Sequence, residues 1–362
     1  MSNIAHLLAL GRDVYLPVYR QRQVILERGQ GARLWDSEGR EYVDFSAGIA
    51  VCGLGHCDPD LVAALAEQAG RLWHTSNVFY SEPPLRLAEE LAAASRFAAR
   101  VFLCNSGAEA NEAAIKLVRK WATAQGRAPD RRVIVTCRGS FHGRTLAAVT
   151  ATAQPKYQAG YEPLPGGFRY VDFNDATALE IAMAAGDVAA VMLEPVQGEG
   201  GVMPAAPGFL RAVRALCDHH GALLAGAKVA EAMQFGDHGT TFGGNPLAAA
   251  VARVALRKLS SQAIEANVTR QAAALRAGLA ALDGREAVFS GVRGRGLMLG
   301  AVLKPEYAGR AGEILDHAAT HGLLLLQAGP DVLRFVPPLN IGDEDVAEGL
   351  SRLSAALRAF AG

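Results

Sequence analysis

Apolar and polar positions along the chain change period several times. In Ala32-Arg33-Leu34-Trp35-Asp36-Ser37-Glu38-Gly39-Arg40-Glu41-Tyr42-Val43-Asp44-Phe45, two strand-like runs flank the turn formed by Asp36, Ser37, Glu38 and Gly39. Over 59–70 apolar residues recur at helical spacing, and Asp58 stands where an N-cap belongs. From about 85 to 224 the two periods alternate. The spacing predicts a short strand over 101–104, a helix over 108–124, a strand over 132–136, a buried strand over 188–194 and a helix over 207–219. A continuous apolar run such as Val188-Ala189-Ala190-Val191-Met192-Leu193 suits a strand covered on both faces, so this region predicts a mostly parallel sheet flanked by helices. Helical patterns follow over 247–259 and 263–282. The rest predicts a small α+β region: a strand over 296–302, a helix over 311–321, a strand over 332–336 and a closing helix.

Composition narrows the class. A chain of 362 residues has room for two or three domains, and 36 basic residues against 36 acidic ones give no electrostatic pull towards nucleic acid or an anionic membrane. Half the residues are apolar, which excludes wholesale disorder, and Gly, Glu or Pro interrupts every apolar stretch before membrane-spanning length. Met1-Ser2-Asn3-Ile4-Ala5-His6 lacks the basic start and apolar run of a secretory leader. Cys52, Cys57, Cys104, Cys137 and Cys217 form an odd set without a C-x-x-C pair, which reads as reduced thiols in a cytoplasm rather than a disulfide framework or a metal site.

Five segments carry candidate chemistry. Asn105-Ser106-Gly107-Ala108-Glu109-Ala110-Asn111 joins a predicted strand to a predicted helix, where first-turn N–H groups and the helix dipole suit a phosphate; an ordinary capped loop would look the same. Gly139-Ser140-Phe141-His142-Gly143-Arg144-Thr145 places an aromatic ring, an imidazole and a guanidinium after another strand, where open α/β sheets bind ligands. Leu193-Glu194-Pro195-Val196-Gln197-Gly198-Glu199-Gly200-Gly201 ends a buried strand in two carboxylates, an amide and three glycines. Next come His238-Gly239-Thr240-Thr241-Phe242-Gly243-Gly244-Asn245-Pro246 and Leu333-Arg334-Phe335-Val336-Pro337-Pro338-Leu339. Each is weak alone.

In order and spacing together, the five segments resemble the class III, fold-type I aminotransferases that use pyridoxal 5'-phosphate, and within them the acetylornithine type. Phe45-Ser46-Ala47-Gly48-Ile49-Ala50-Val51 and Leu54-Gly55-His56 extend the resemblance towards residue 14. It implies an α/β chain with an N-terminal segment (1–45) packing with the small domain, a large cofactor-binding domain (46–255) and a small α+β C-terminal domain (256–362). Gly107 and Ala108 resemble the cofactor-phosphate loop, and Phe141 the aromatic stacked on the pyridine ring. Arg144 resembles the substrate-carboxylate clamp. Glu199 matches the acid that pairs with an arginine corresponding to Arg334 and frees it for a dicarboxylate such as 2-oxoglutarate. Thr240 resembles a substrate contact, and Thr241 a phosphate ligand donated by the neighbouring subunit. A homodimer with shared sites is implied, acting on N-acetylornithine or a related ω-amino donor, with no metal, nucleic acid or membrane.

Two residues of the family pattern are not found. A lysine should join the cofactor as a Schiff base and shuttle a proton, and an aspartate should pair with the ring nitrogen. The pattern expects both after Gly221-Ala222-Leu223-Leu224, yet Leu224 is followed at once by Ala225-Gly226-Ala227-Lys228-Val229-Ala230-Glu231, which resembles sequence from well beyond that lysine. The expectation is a segment missing between Leu224 and Ala225, with no residue in the catalytic role. Lys116 and Lys120 read as a solvated helix face, Lys156 as a loop residue, Lys258 as a helix end, and Lys304 lies in the small domain. Lys228, nearest the junction, reads as a surface lysine. The origin stays open between a segment left out of the sequence, an in-frame deletion and a retained pseudo-enzyme. The alternative to a transaminase is a silent protein that binds the cofactor or serves as a dimer partner.

Overall fold

The computed structural model describes residues 3–95, 97–222 and 231–361. The junction of Leu224 with Ala225, and Lys228, lie outside the described residues. In chain order the strands are β1 (Leu26–Gln30), β2 (Arg33–Asp36), β3 (Glu41–Asp44), β4 (Val133–Cys137), β5 (Phe168–Val171), β6 (Val188–Val191), β7 (Val196–Gln197), β8 (Met203–Pro204), β9 (Phe289–Arg295), β10 (Met298–Leu303), β11 (Leu323–Leu324), β12 (Leu326–Gln327) and β13 (Val332–Phe335). Two compact units divide the chain: residues 1–59 with 259–362, and residues 60–258.

The first unit contains two four-stranded sheets, ordered β1-β2-β3-β11 and β12-β13-β10-β9. β2 and β3 form the hairpin expected from the alternating runs, with Leu34 opposite Tyr42. Phe45, Leu275, Leu279, Phe289, Leu299, Ile314, Leu323, Phe335 and Leu357 are buried in one core. The Phe45 and Phe335 rings meet edge to face, 6.3 Å apart. A Cβ at Gly349 would lie 2.2 Å from the Phe45 ring, so the helix Asp343–Ala361 passes there only as glycine. Beyond β3, buried Asp44 accepts hydrogen bonds from the Ser46 and Ala47 N–H groups, the Ser46 hydroxyl and His56 Nε2, the last at 2.8 Å. These bonds hold a turn in which Ala47, Ile49 and Ala50 all have positive φ.

The second unit has a parallel sheet of order β5-β4-β6. Successive side chains of β4 point to opposite faces. Val135 and Cys137 pack with Val171, Leu179, Met183 and Val213 on one face. Ile134 packs with Ile115, Val118, Ala122 and Ala151 on the other. Ile115, Val118 and Ala122 are the buried stripe of the helix Gly107–Ala124, at the spacing the sequence predicts. The expected strand over 101–104 is not formed. Its backbone lies against a glycine loop instead: a Cβ on Gly243 would meet the Leu103 carbonyl at 2.6 Å. β-Propensity alone makes no strand without a neighbouring ladder. β6, buried along three of its four residues, has β4 as its only hydrogen-bonded neighbour among the described residues.

Among the described residues no helix is long and apolar enough to cross a membrane, and no three metal-ligating side chains gather. All five cysteines are free thiols.

Candidate functional site

The helix Gly107–Ala124 opens on a reciprocal cap. The Ser106 hydroxyl accepts from the Glu109 N–H at 3.2 Å, and the Glu109 carboxylate accepts from the Asn105 N–H at 2.6 Å. Both bonds lie away from the N–H groups of Gly107 and Ala108, which begin the helix. A Cβ on Gly107 would meet no atom within 4 Å, so this end is open to a ligand. Ala108 packs on Gly143, whose φ of +130° and lack of a side chain admit the contact. Replacing Ser106 with Ala should lower stability by about 1 kcal/mol, read as a reduced urea midpoint at unchanged slope.

Phe141 follows β4, and the loop after β6 docks onto its loop at several points. Glu194 Oε2 accepts the Phe141 N–H at 2.9 Å, and the Gln197 amide donates to the Arg138 carbonyl at 3.0 Å. A Cβ at Gly200 would stand 2.3 Å from the Gly139 carbonyl, so only glycine lets the loops close. The carboxylates, amide and glycines after β6 therefore build the surface that presents Phe141. Burial pushes the Glu194 carboxyl up to about 7, against the lowering influence of the Phe141 and Gly198 N–H groups and with help from the nearby Glu199 charge. Burial also pushes the Cys137 thiol up to about 12 and the His142 imidazole down to about 4.

His142 is held by its backbone. Its N–H donates to Thr152 Oγ1 at 2.8 Å and its carbonyl accepts from the Asn111 amide at 2.6 Å. The buried His142 Nε2 and Thr136 Oγ1 have no hydrogen-bond partner among the described residues. The exposed Arg144 guanidinium lies 3.9 Å over the Tyr157 ring and 5.6 Å from Phe141, while the Tyr157 hydroxyl donates to Glu199 Oε1 at 2.7 Å. The structure thus gathers Phe141, Arg144 and Glu199 round Tyr157, a residue that sequence reasoning passed over. The sequence marks only its neighbour Lys156, as a loop residue.

Thr240 also joins the site. Its hydroxyl accepts from the Asn105 amide at 3.2 Å, and its carbonyl accepts from Asn77 at 3.1 Å. Thr241 lines a shallow cleft with His74, Ser76 and Asn77. Arg334 lies buried in the other unit, opposite Gly300 on β10 and Leu326 on β12.

Among the described residues the lysines are engaged away from the open helix start at Gly107. Among the described lysines, Lys116 binds the Asp237 carbonyl and His238, each at 2.9 Å, and Lys120 binds Asp237 at 2.7 Å. Lys258 pairs with Asp60 at 2.6 Å, and Lys156 lies 4.5 Å over the Tyr157 ring. Lys304 caps a short 3-10 turn in the first unit. None follows a strand of the parallel sheet.

A parallel α/β unit with an anion-ready helix start and an aromatic loop beyond its central strand is the architecture of a fold-type I transferase. Residues 15–226 and 222–357 match the aminotransferase class-III family, to which the chain belongs. Acetylornithine aminotransferase of Xanthomonas campestris pv. campestris is 69% identical over 390 residues, covering 96% of each chain. The crystal structure of N-acetylornithine aminotransferase from Stenotrophomonas maltophilia K279a aligns with a TM-score of 0.85 at 60% identity, over 98% of this chain and 99% of that one. Ornithine aminotransferase from Toxoplasma gondii ME49 aligns with a TM-score of 0.93 at 30% identity, over 99% and 96%. The family is one of enzymes dependent on pyridoxal 5'-phosphate, and the resemblance read from the five segments holds at that level.

Proposed function

We propose that the chain is the scaffold of a transaminase moving the amino group of N-acetylornithine to 2-oxoglutarate, and that the segment carrying its reactive lysine and ring-nitrogen aspartate is absent between Leu224 and Ala225. The observation that carries the second half is the placing of the described lysines: none follows a strand of the parallel sheet, and Lys156, the one beside the Tyr157 ring, sits in the short helix Pro155–Gln158. Further support comes from the family match, which falls into two stretches meeting at 222–226. The alignment with the Xanthomonas protein runs over 390 residues, longer than this 362-residue chain. Among the described residues, the single-sided pairing of β6 and the unpaired run at 101–104 fit a sheet lacking neighbours.

In this reading the N–H groups of Gly107 and Ala108 hold the cofactor phosphate and Phe141 covers its ring. Thr241 adds a phosphate contact to the neighbouring subunit. Arg144 takes the substrate carboxylate beside Thr240, and Glu199 is the acid that leaves an arginine free for a dicarboxylate. When bound, the cofactor supplies an electron sink for removing the proton at the amino-bearing carbon. The homodimer in this reading is supported by contiguous exposed apolar residues, with Val78, Phe79 and Tyr80 at 81%, 70% and 91% exposure. Five free thiols support a cytoplasmic setting. The literal chain then binds the cofactor without turnover, which is also where the silent-protein reading leads.

Insertion of the corresponding stretch of the Xanthomonas protein between Leu224 and Ala225 should create transaminase activity with N-acetylornithine and 2-oxoglutarate; a chain still inert after that repair, though folded and cofactor-bound, refutes the reading. In the repaired chain Arg144→Ala should raise the donor KM about tenfold or more, the scale of a lost charged hydrogen bond, with cofactor retention little changed. Loss of cofactor at an unchanged KM contradicts the clamp role.

A further inference from the structure

Tyr157 is the residue on which the described half of the crevice converges. It sits in the short helix Pro155–Gln158, whose position is fixed from both ends. The Gln154 amide donates to the Ser140 carbonyl at 2.8 Å, and the Gln158 amide donates to the Thr152 carbonyl at 2.9 Å. The Tyr157 ring meets Phe141 edge to face at 6.0 Å. One side chain therefore touches the ring-covering residue, the guanidinium and the carboxylate, and the short helix that carries it is tied through Gln154 to the loop that holds the first two.

We infer that Tyr157 is a positioning residue that sets carboxylate recognition in this crevice: its ring orients the Arg144 guanidinium, and its hydroxyl holds the Glu199 carboxylate away from that guanidinium. The inference rests on the reading of the crevice given above. Arg144 is exposed and long, so without a flat partner it samples many rotamers and loses that freedom when it binds an acid. With its guanidinium 3.9 Å over the Tyr157 ring, part of that ordering is already done. The hydroxyl serves a second purpose. Glu199 carries the charge that competes with a substrate carboxylate for arginine, and the 2.7 Å bond from Tyr157 gives it another partner. Lys156, 4.5 Å over the same ring, is a second cation beside this aromatic face.

The two functions separate by substitution. Tyr157→Phe keeps the ring and removes the hydroxyl's bond to Glu199, whereas Tyr157→Leu loses both. The test uses the full chain with pyridoxal 5'-phosphate and glutarate, a dicarboxylate without a keto group, as the probe. Cofactor retention is read by absorbance titration, and glutarate affinity by calorimetry at saturating cofactor. Tyr157→Leu should weaken glutarate by about tenfold or more, and Tyr157→Phe by about threefold or more, at unchanged cofactor retention. Glu199→Gln should raise the affinity of Tyr157→Phe by more than it raises that of the starting chain, a coupling that a purely structural tyrosine would not produce. Unchanged affinity in Tyr157→Leu overturns the inference. So does a Tyr157→Phe deficit that Glu199→Gln leaves in place, or a chain that keeps its cofactor but binds no glutarate. Failure of the unsubstituted chain to bind the cofactor at saturating concentration overturns the underlying reading, and this inference with it.

Discussion

Mixed with N-acetylornithine, 2-oxoglutarate and pyridoxal 5'-phosphate, the 362-residue chain is expected to show no turnover above the rate of the free cofactor. Transamination needs an amine that holds the cofactor covalently between cycles and then carries a proton between two carbon atoms. A positioned proton-transfer group alone contributes about 10²–10⁴-fold, and loss of covalent capture removes a further factor. The described lysines cannot substitute without leaving their present partners: Lys116 and Lys120 are tied at Asp237, Lys258 at Asp60, and Lys156 lies over Tyr157. Borohydride treatment followed by peptide mapping should therefore recover no lysine carrying the cofactor. Sustained glutamate production, or a labelled peptide containing Lys156 or Lys228, would show that an amine reaches the crevice after all.

That expectation grew from residues whose chemistry is local, and local chemistry is what a chain displays most openly. Ser106 and Glu109 cap the helix they precede, and the cap is legible because both partners lie within four positions. The hairpin of β2 and β3 and the buried run of β6 follow from alternation and apolar continuity in the same way. The run at 101–104 has strand composition, but a strand exists only beside another strand, and this backbone meets the glycine loop at Gly243 instead. The contact of Glu194, a residue the sequence does single out, and the part played by Tyr157 were hidden for a related reason. Their roles arise when loops distant in sequence dock, Glu194 across 53 positions onto Phe141 and Tyr157 across 42 positions onto Glu199. Neither pattern nor propensity encodes that meeting. The family motifs captured part of it: the glycine at 200 is there because the Gly139 carbonyl leaves no room for a side chain.

Two groups in this docking region, buried His142 and half-buried Glu194, should give stability opposite dependences on pH. The Glu194 carboxyl has a pKa of about 7 in the folded chain against an ordinary 4.5. The folded state therefore keeps a proton that the unfolded state releases, and this contribution is full below about 4.5 and lost as pH rises through about 7. The His142 imidazole is lowered from 6.5 to about 4, so here the unfolded state takes the proton. Its contribution is full above about 6.5 and lost as pH falls through about 4. Each is worth at most about 3 kcal/mol, and solvent screening at the partly exposed Glu194 reduces its share. The groups around Glu194 are Glu199, the neutral Cys137 thiol and the N–H groups of Phe141 and Gly198; His142 is shifted by burial alone. Between about 4.5 and 6.5 the two slopes oppose each other, so this region should contribute little net pH dependence. Glu194→Gln should expose the histidine slope, with stability rising from about pH 4 to 6.5 relative to the starting chain. His142→Phe, which retains a ring, should expose the carboxyl slope, with stability falling from about pH 4.5 to 7. Urea midpoints across that range at constant ionic strength test both, because every surface ion pair is common to the three proteins and cancels in the differences. Parallel profiles for all three would mean that neither group titrates differently in the folded chain, and the burial argument for both would fail together.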